Sequence, residues 1–411
     1  MAQYLLATML SESENPDDKE GARRWYEAAA RQGHADACKA LWRLSVINAH
    51  AGAIDQSIDS VIRAADSGDL VASALLMIAY GSKPDAPIPN MPAYLRQHLE
   101  RSHGIAELRL GQAYDYGYFG LPKSTEMAFA LYLKSALQGE VHAMCCVGIC
   151  YANGLGIQRD DERSVVWYLR AARAGSAQAQ CNLGYSYEVG RGSLKQSMQE
   201  ANRWYRRAAM RDFSEAQYNL AVSYANGKGL PQNLELANRW YERAAEHGHT
   251  RSQVALGYSY ETGRGVAGSQ VKALELYRSA AISGDPQGQH NYACMLENGV
   301  GTECDPWDAA KWYARAAEQG LAVAQGNLAS MYLDGRGVER DPQRALQLWR
   351  SAAEQGLGTA QCNLAWMYVT GTSVESDLNE ALKYYKLAAD GGNQCGSEGI
   401  AWVESLVKVK E

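Results

Sequence analysis

Two adjoining stretches decide the fold of this chain: Pro306–Gly320 reads PWDAAKWYARAAEQG and Leu321–Gly335 reads LAVAQGNLASMYLDG. In the first stretch, apolar residues recur at spacings of three and four, the pattern of one buried helix face. Asp305 before Pro306 is a typical helix start, and Gly320 can adopt the left-handed conformation that ends a helix. The second stretch has the same helical periodicity, so the two predict helices joined by a tight turn. We name the first helix B and the second helix A.

This helical unit recurs along the whole chain. The residue that closes helix B occurs eleven times at intervals of 35 to 37 residues: Gly33, Gly68, Gly104, Gly139, Gly175, Asp212, Gly248, Gly284, Gly320, Gly356 and Gly392. Self-similarity at this period indicates a solenoid, in which each unit packs only on its neighbours. We therefore predict an all-α fold: a right-handed α-α superhelix of about eleven helix-turn-helix repeats of about 36 residues, closed by a C-terminal capping helix.

Departures from the repeat divide the chain into four predicted segments. Residues 1–81 carry N-terminal repeats, and residues 82–104 hold a proline-rich insertion followed by a degenerate helix. Residues 105–393 carry regular repeats, and residues 394–411 form the capping helix. Prolines interrupt helices, so we expect the insertion to be the least protected region in hydrogen exchange.

When the repeats are aligned, each set of equivalent positions forms a column. Two of these columns are expected to be packing positions. The small column of helix B holds only Ala or Ser in all eleven repeats, as at Ala237, which indicates that another helix approaches closely there. The aromatic column, four residues later, is usually Tyr, as at Tyr241, and we interpret it as a packing wedge between units. These positions hold the solenoid together and do not identify a partner.

The repeated phrases resemble those of a known family. Ala237–Gly248 fits A-x-x-W-Y-x-x-A-A-x-x-G, and Ala216–Gly229 fits A-Q-x-N-L-x-x-x-Y-x-x-G-x-G. Both resemble the Sel-one-like repeat family, whose members are relatives of the tetratricopeptide repeat, and the resemblance spans essentially the whole chain. It implies an adaptor role in signalling, secretion, envelope assembly or quality control, or the neutralisation of a bacterial toxin. The family's cysteine-rich branch, with a paired disulfide in every repeat, does not fit this chain.

Composition narrows the possible partners and compartment. A net charge of −6 and a pI near 5.8, without a basic stripe, argue against nucleic acid. No apolar run is long enough to insert in a membrane. Nine cysteines at irregular positions favour free thiols in a reducing compartment, so we expect a cytoplasmic protein. A periplasmic location is the alternative, if a leader peptide has been removed.

The sequence gives no sign of catalysis, metal binding or a cofactor. Each Gly-x-Gly follows a predicted helix rather than a strand, so we interpret these as turns and not as phosphate loops. His247 and His249 flank a helix end and do not make a metal pair. The cysteine cluster on one helix A and its neighbour is interpreted as buried small apolar residues, too far apart for disulfides: Cys145, Cys146, Cys150 and Cys181.

Columns of helix A that vary between repeats are the candidate binding positions, because stacking does not constrain them. In Sel-one-like and tetratricopeptide solenoids the A helices line the concave surface, which implies that these side chains face the groove. The candidate partner-binding residues are Tyr185, Tyr218, Tyr258, His290, Trp366, Asn182, Asn219, Asn291, Asn327 and Asn363. Partial burial between A helices is the alternative for the aromatic residues. The Asn column is either a structural ladder or a clamp for a peptide backbone.

The predicted function is a non-catalytic scaffold or adaptor that binds a protein or peptide in the concave groove. The alternative is an inhibitor or immunity protein that wraps one secreted bacterial toxin or enzyme. The sequence does not decide between them, and it leaves the oligomeric state open.

Overall fold

The computed structural model describes residues 103–117 and 122–410, together with Ala22, Arg24 and Trp25. The predicted N-terminal repeats of 1–81 lie outside the described residues, apart from those three. So do the proline-rich insertion and nearly all of the degenerate helix of 82–104. The hydrogen-exchange prediction for that insertion therefore stays a prediction.

Seventeen helices and no strand occur in the described residues, which confirms the all-α solenoid. In chain order they are α1 His103–Tyr116, α2 Thr125–Leu137, α3 Val141–Asn153, α4 Asp161–Arg173, α5 Ala177–Val189, α6 Met198–Ala209, α7 Ser214–Asn226, α8 Leu234–Glu246, α9 Thr250–Thr262, α10 Gln270–Ile282, α11 Pro286–Asn298, α12 Pro306–Glu318, α13 Ala322–Asp334, α14 Pro342–Glu354, α15 Gly358–Thr370, α16 Leu378–Asp390 and α17 Gln394–Lys410. Odd-numbered helices are A helices and even-numbered helices are B helices. None of them is both long and apolar enough to cross a membrane.

Contacts group the chain into two compact units, one ending at Ala208 and the other beginning at Ala209. Helices adjacent in sequence pack side by side within each unit, and the A helices α15 and α17 also contact each other. Each unit therefore has a continuous interior built from successive helix pairs, as expected for stacked repeats.

Local sequence explains where the helices begin and end. The predicted start at Asp305 is a true N-cap, since its side chain accepts a hydrogen bond from the backbone N–H of Asp308 at 3.0 Å. Gly335 ends α13 in the left-handed conformation at φ 72°. Gly337 follows at φ 65°, and a Cβ at this position would collide with the backbone of Pro306. The Gly-x-Gly sequence is thus a turn that lets two backbones approach.

The small and aromatic columns are buried together. Ala201 and Tyr205 on α6 are both essentially inaccessible to solvent. The ring of Tyr205 lies against Gly184 of α5, where a Cβ would meet ring carbons at 2.7 Å. The same contact joins Tyr277 to Gly257. The ring therefore lies between an A helix and the B helix that follows it, where one B–A unit meets the next.

Cysteine usage is partly different from the expectation. Cys145 and Cys150 are buried free thiols, and burial raises the pKa of each to about 12. Cys362 of α15 and Cys395 of α17, in contrast, form a disulfide with a Cα–Cα distance of 6.4 Å. The expectation of free thiols is wrong for this pair because adjacent A helices bring the two backbones within disulfide range.

Candidate partner-binding face

Three aromatic residues of the predicted face are exposed. Tyr185 on α5 is 49% exposed, Tyr258 on α9 48% and Trp366 on α15 38%. They occupy the same column of three A helices. Arginines of the following turns lie over two of the rings: Arg191 is 5.7 Å from the centre of the Tyr185 ring, and Arg264 is 6.0 Å from that of Tyr258. Each ring is thus held beside a cation while remaining accessible.

In the first unit the tyrosine opens onto a groove of about 300 Å³. Its walls come from α3, α4 and α5 and the turn after α5, and it is lined by Ile149, Ala152, Asn153, Tyr168, Gln178, Asn182, Tyr185 and Arg191. Two of the predicted residues, Asn182 and Tyr185, therefore share one groove with a guanidinium group. Apolar side chains, amides and one cation line it, a mixture suited to a peptide carrying both apolar and polar side chains.

The Asn column is half-buried, and two of its members bond to the preceding A helix. Asn182 donates from Nδ2 to Sγ of Cys145 at 3.9 Å. Asn327 lies with Nδ2 at 3.1 Å from Nε2 of His290. At these two positions the geometry is that of a ladder between repeats. Asn291 instead bonds within its own helix, accepting at Oδ1 from Gln287 at 2.8 Å, while Asn219 and Asn363 are half-buried.

Two of the predicted residues pack between helices rather than standing exposed. Tyr218 is half-buried, with its ring centre 5.1 Å from that of His249 and the Arg251 guanidinium 4.7 Å above it. His290 lies 5.6 Å from the Tyr313 ring, and burial holds the pKa of its imidazole below the usual value. Their column therefore lies closer to the neighbouring A helix than the column of Tyr185 does.

A series of Tyr–Glu hydrogen bonds supports this face, and sequence reasoning missed it. Tyr277 donates from its hydroxyl to Oε2 of Glu261 at 2.7 Å, and Tyr313 donates to Oε2 of Glu297 at 2.8 Å. Glu297 also pairs with Arg336 at 2.6 Å. The recurrence of Glu sixteen residues before the buried Tyr was the available signal. These bonds fix the ends of the buried tyrosines and leave carboxylates at the edge of the face.

Cys294 and His290 come together in the second unit, with Sγ 3.6 Å from Nε2. Such a pair can act as nucleophile and base only if the thiol loses its proton. Here burial raises the pKa of Cys294, and its sulfur lies 3.0 Å from the hydroxyl oxygen of Tyr313. The arrangement is that of a packed cluster. No group of three or more His, Cys, Asp or Glu side chains in the described residues could hold a metal ion.

The seventeen helices of the described residues, which pack as repeating pairs, define a helical-repeat protein of the solenoid class. A model of the Sel1 repeat matches the chain nine times, so the chain belongs to the Sel1 repeat family. The matched residues are 1–34, 104–140, 141–176, 177–213, 214–249, 250–285, 286–321, 322–357 and 358–393. Of the eleven predicted repeats, those within 35–103 are not matched. This fold is generally a non-catalytic interaction scaffold.

Solved structures of family members are similar to this chain. A protective antigen present in uropathogenic Escherichia coli strains, which displays this repeat fold, is 28% identical over 98% of this chain and 87% of its own, with a TM-score of 0.67. A Sel1 repeat protein from Oxalobacter formigenes is 30% identical over 60% of this chain and 96% of its own, with a TM-score of 0.55. An immunity protein from Pseudomonas aeruginosa is 19% identical over 56% of this chain and 82% of its own, with a TM-score of 0.34. A comparison of the sequence with curated proteins found no significant match.

Proposed function

We propose that this protein is a non-catalytic scaffold that binds a protein or peptide partner through the exposed side of its A helices. We call this side, which carries Tyr185, Tyr258 and Trp366, the A-helix face. The observation that carries the proposal is the exposure of Tyr185, Tyr258 and Trp366 in one column of three A helices. Large aromatic rings left accessible to water are the residues that most often supply the binding energy of protein interfaces. None of the three is needed to fill the interior of its repeat.

The surroundings of these rings suit a polypeptide ligand. Asn182 lies in the groove beside Tyr185, and amide side chains can bond to an extended peptide backbone. Arg191 and Arg264 lie over the tyrosines and add donors for carboxylates or carbonyl oxygens. Because nothing in this arrangement supplies an activated nucleophile or a general base, the proposed role is binding alone.

The test compares two triple variants as bait in pull-downs from the native host, read by mass spectrometry. The first, Tyr185→Ala/Tyr258→Ala/Trp366→Ala, removes the exposed rings of the A-helix face. The control, Met210→Ala/Ile282→Ala/Trp307→Ala, truncates three exposed apolar side chains elsewhere. A partner retained by wild type and by the control, but lost by the first variant, supports the proposal. Each lost anchor is expected to cost about 2 kcal/mol of binding free energy or more.

Thermal melts of both variants complete the test. We expect similar midpoints, because all six side chains are exposed. A melted first variant whose folded fraction keeps full affinity would place the rings in the core and refute the proposal. The nature of the captured partner decides between roles: one toxin or secreted enzyme identifies an inhibitor, and several components of one pathway identify an adaptor.

A further inference from the structure

Glu297 of α11 shows how this fold holds a carboxylate at the edge of the A-helix face. Its Oε2 accepts a hydrogen bond from the hydroxyl of Tyr313 on α12 at 2.8 Å. Its Oε1 lies 2.6 Å from Nη1 of Arg336, in the turn after α13. One carboxylate therefore joins a hydroxyl group and a guanidinium group from different parts of the chain. The tyrosine stands sixteen residues after the glutamate, and the arginine stands twenty-three residues after the tyrosine.

The first unit has the same tyrosine and arginine without the glutamate. Arg191 stands twenty-three residues after Tyr168 of α4, but the residue sixteen before that tyrosine is Ala152. All three residues line the groove of about 300 Å³ beside Tyr185. None of the described residues that line this groove is acidic. The groove therefore lies where the second unit holds the glutamate carboxylate, and it offers the same two binding groups.

The second unit contains another site of this kind. Ala225 of α7 stands sixteen residues before Tyr241 of α8, and Arg264 stands twenty-three residues after that tyrosine. In the part of the chain that the structure describes, the Tyr241 hydroxyl has no hydrogen-bond partner and Arg264 has no ion pair. Burial raises the pKa of Tyr241, whereas the positive charge of Arg264 acts to lower it. The guanidinium group therefore lies close enough to act on the hydroxyl group.

The absence of the acid at these two sites is not a general feature of the repeat. Other buried tyrosines of the same column donate to a carboxylate: Tyr132 to Asp115 at 3.3 Å, Tyr205 to Glu188 at 2.6 Å and Tyr277 to Glu261 at 2.7 Å. Among the described repeats, only those of Tyr168 and Tyr241 combine the arginine with an alanine in place of the acid. Two donors for a carboxylate are thus present at two places where the chain itself supplies none.

The guanidinium group of Arg191 is available to a ligand. It lies over the ring of Tyr185, and its Nε is 3.8 Å from Oδ1 of Asp161. That carboxylate is held more closely by Arg159, at 2.8 Å. Arg191 has no other ion pair and no side-chain hydrogen bond among the described residues. Its two terminal nitrogens can therefore donate into the groove.

We propose that each of these two sites binds a glutamate or aspartate side chain of the partner protein, through the tyrosine hydroxyl and the arginine. The proposal rests on the proposed function, since Tyr185 and Tyr258 of the A-helix face lie beside the two arginines. A carboxylate that accepts from the arginine makes charge-assisted hydrogen bonds, which are stronger than neutral ones. Tyr168 is only 3% exposed, so a carboxylate on a methylene stem reaches its hydroxyl more easily than a C-terminal carboxylate, which is attached to the backbone.

The experiment uses the full chain and three peptides that carry an N-terminal tetramethylrhodamine label. The first is Gly-Leu-Glu-Leu-Gly with an amidated C-terminus, so that its only carboxylate is the side chain. The second has glutamine in place of glutamate, and the third is the glutamine peptide with a free C-terminal carboxylate. Fluorescence anisotropy at low ionic strength should show the glutamate peptide binding about tenfold more tightly than either of the others.

Two paired variants locate this preference for glutamate. Arg191→Gln/Arg264→Gln removes the guanidinium group of each site and should bind the three peptides equally weakly. The control, Arg173→Gln/Arg278→Gln, removes two positive charges from exposed positions on α4 and α10, and it should keep the tenfold preference. Circular-dichroism melts confirm that both variants are folded.

A third variant supplies the carboxylate from the chain itself. Ala152→Glu/Ala225→Glu places at each site the residue that Glu297 represents in its own repeat. The new carboxylates should accept from the tyrosine and the arginine, and the preference for the glutamate peptide should be lost. The melting midpoint should not fall, because other repeats fold with glutamate at this position.

Several results would overturn the proposal. Equal binding of the glutamate and glutamine peptides by the wild-type chain does so, as does failure of the glutamate peptide to bind at its solubility limit. Binding of the free C-terminal peptide as tight as that of the glutamate peptide shows that a side-chain carboxylate is not preferred. A control that loses the preference, or an arginine or glutamate variant that keeps it, shows that the two sites are not responsible.

A pull-down from the native host separates this inference from the proposed function. Loss of the partner by Arg191→Gln/Arg264→Gln, with retention by its control, supports the inference. If the arginine variant keeps a partner that Tyr185→Ala/Tyr258→Ala/Trp366→Ala loses, the A-helix face binds the partner without these two sites, and only the inference fails. If the variant without the three rings keeps the partner as well, the proposed function itself fails.

Discussion

Each described A helix from α5 to α15 carries a glutamine near its start, and replacing two of these residues measures what the bonds contribute. Gln325 of α13 donates from Nε2 to the Ala317 carbonyl of α12 at 3.3 Å, and its Oε1 accepts from Gln355, the C-cap residue of α14, at 2.9 Å. Gln361 of α15 makes only the first kind of bond, to the Ala353 carbonyl at 3.2 Å. The donor of the second kind is missing because Gly391 occupies its position.

The change is Gln→Leu at each position, which removes the polar group with little change of volume. Both glutamines are 7% exposed, so the free energy gained by burying a leucine is similar at the two positions and cancels when the two variants are compared. The carbonyls of Ala317 and Ala353 keep a bond from the N–H of Gly320 and of Gly356, respectively, so neither is left unpaired. With about 1 kcal/mol for each lost hydrogen bond, Gln325→Leu should cost about 2 kcal/mol and Gln361→Leu about 1 kcal/mol.

Native-state hydrogen exchange read by mass spectrometry is the suitable assay, because a repeat array can open locally rather than all at once. Exchange in α12–α14 should accelerate roughly thirtyfold in Gln325→Leu, and exchange in α14–α16 roughly fivefold in Gln361→Leu. As a control, Gln355→Ala should accelerate exchange less in Gln325→Leu than in the wild type, because the bond between the two glutamines is already lost there. Equal acceleration by the two Gln→Leu changes would refute the view that Gln325 bonds three helices.

Three further predictions concern packing, pH and thiols. Ala237→Leu overpacks a small-column position that is 1% exposed, and should destabilise the protein by about 1–3 kcal/mol; an unchanged urea midpoint would show that the column is not a packing contact. Hydrogen bonds from a histidine and an arginine lower the pKa of Glu215 to about 2, so its carboxylate stabilises the folded protein fully above the unfolded pKa near 4.5 and loses this effect as the pH falls toward 2. Glu215→Gln should therefore be less stable than wild type at pH 6 and equally stable near pH 2. A stability difference that does not change with pH would contradict this assignment. Alkylation of the unfolded, unreduced chain should spare Cys362 and Cys395. Alkylation of both would show that they are free thiols.

Much of the fold could be predicted from the sequence because the repeat supplies the same information many times. The helix start at Asp305, the helix end at Gly335 and the small column at Ala237 each follow from local chemistry, repeated at a fixed spacing. Errors arose where a contact joins different columns. The Cys362–Cys395 disulfide connects positions 33 residues apart, three short of the repeat, so a comparison of identical columns does not reveal it.

The candidate face was harder to predict because helical periodicity does not tell a half-buried position from an exposed one. Tyr185 and Tyr218 were both named as groove residues, yet only the first is exposed. Tyr218 is covered because His249 and Arg251 of the next A helix lie on its ring, a contact set by the spacing between helices.

Site-specific photo-crosslinking shows whether the partner binds at the A-helix face. A benzoylphenylalanine is placed at one position at a time, replacing Tyr185, Tyr258 or Trp366, with Trp307 of α12 as an exposed aromatic control. Each protein is irradiated with the partner recovered by the wild-type chain. Crosslinks are expected from the three A-helix positions and none from position 307. Crosslinks from position 307 alone, or equal yields at all four positions, would contradict this expectation.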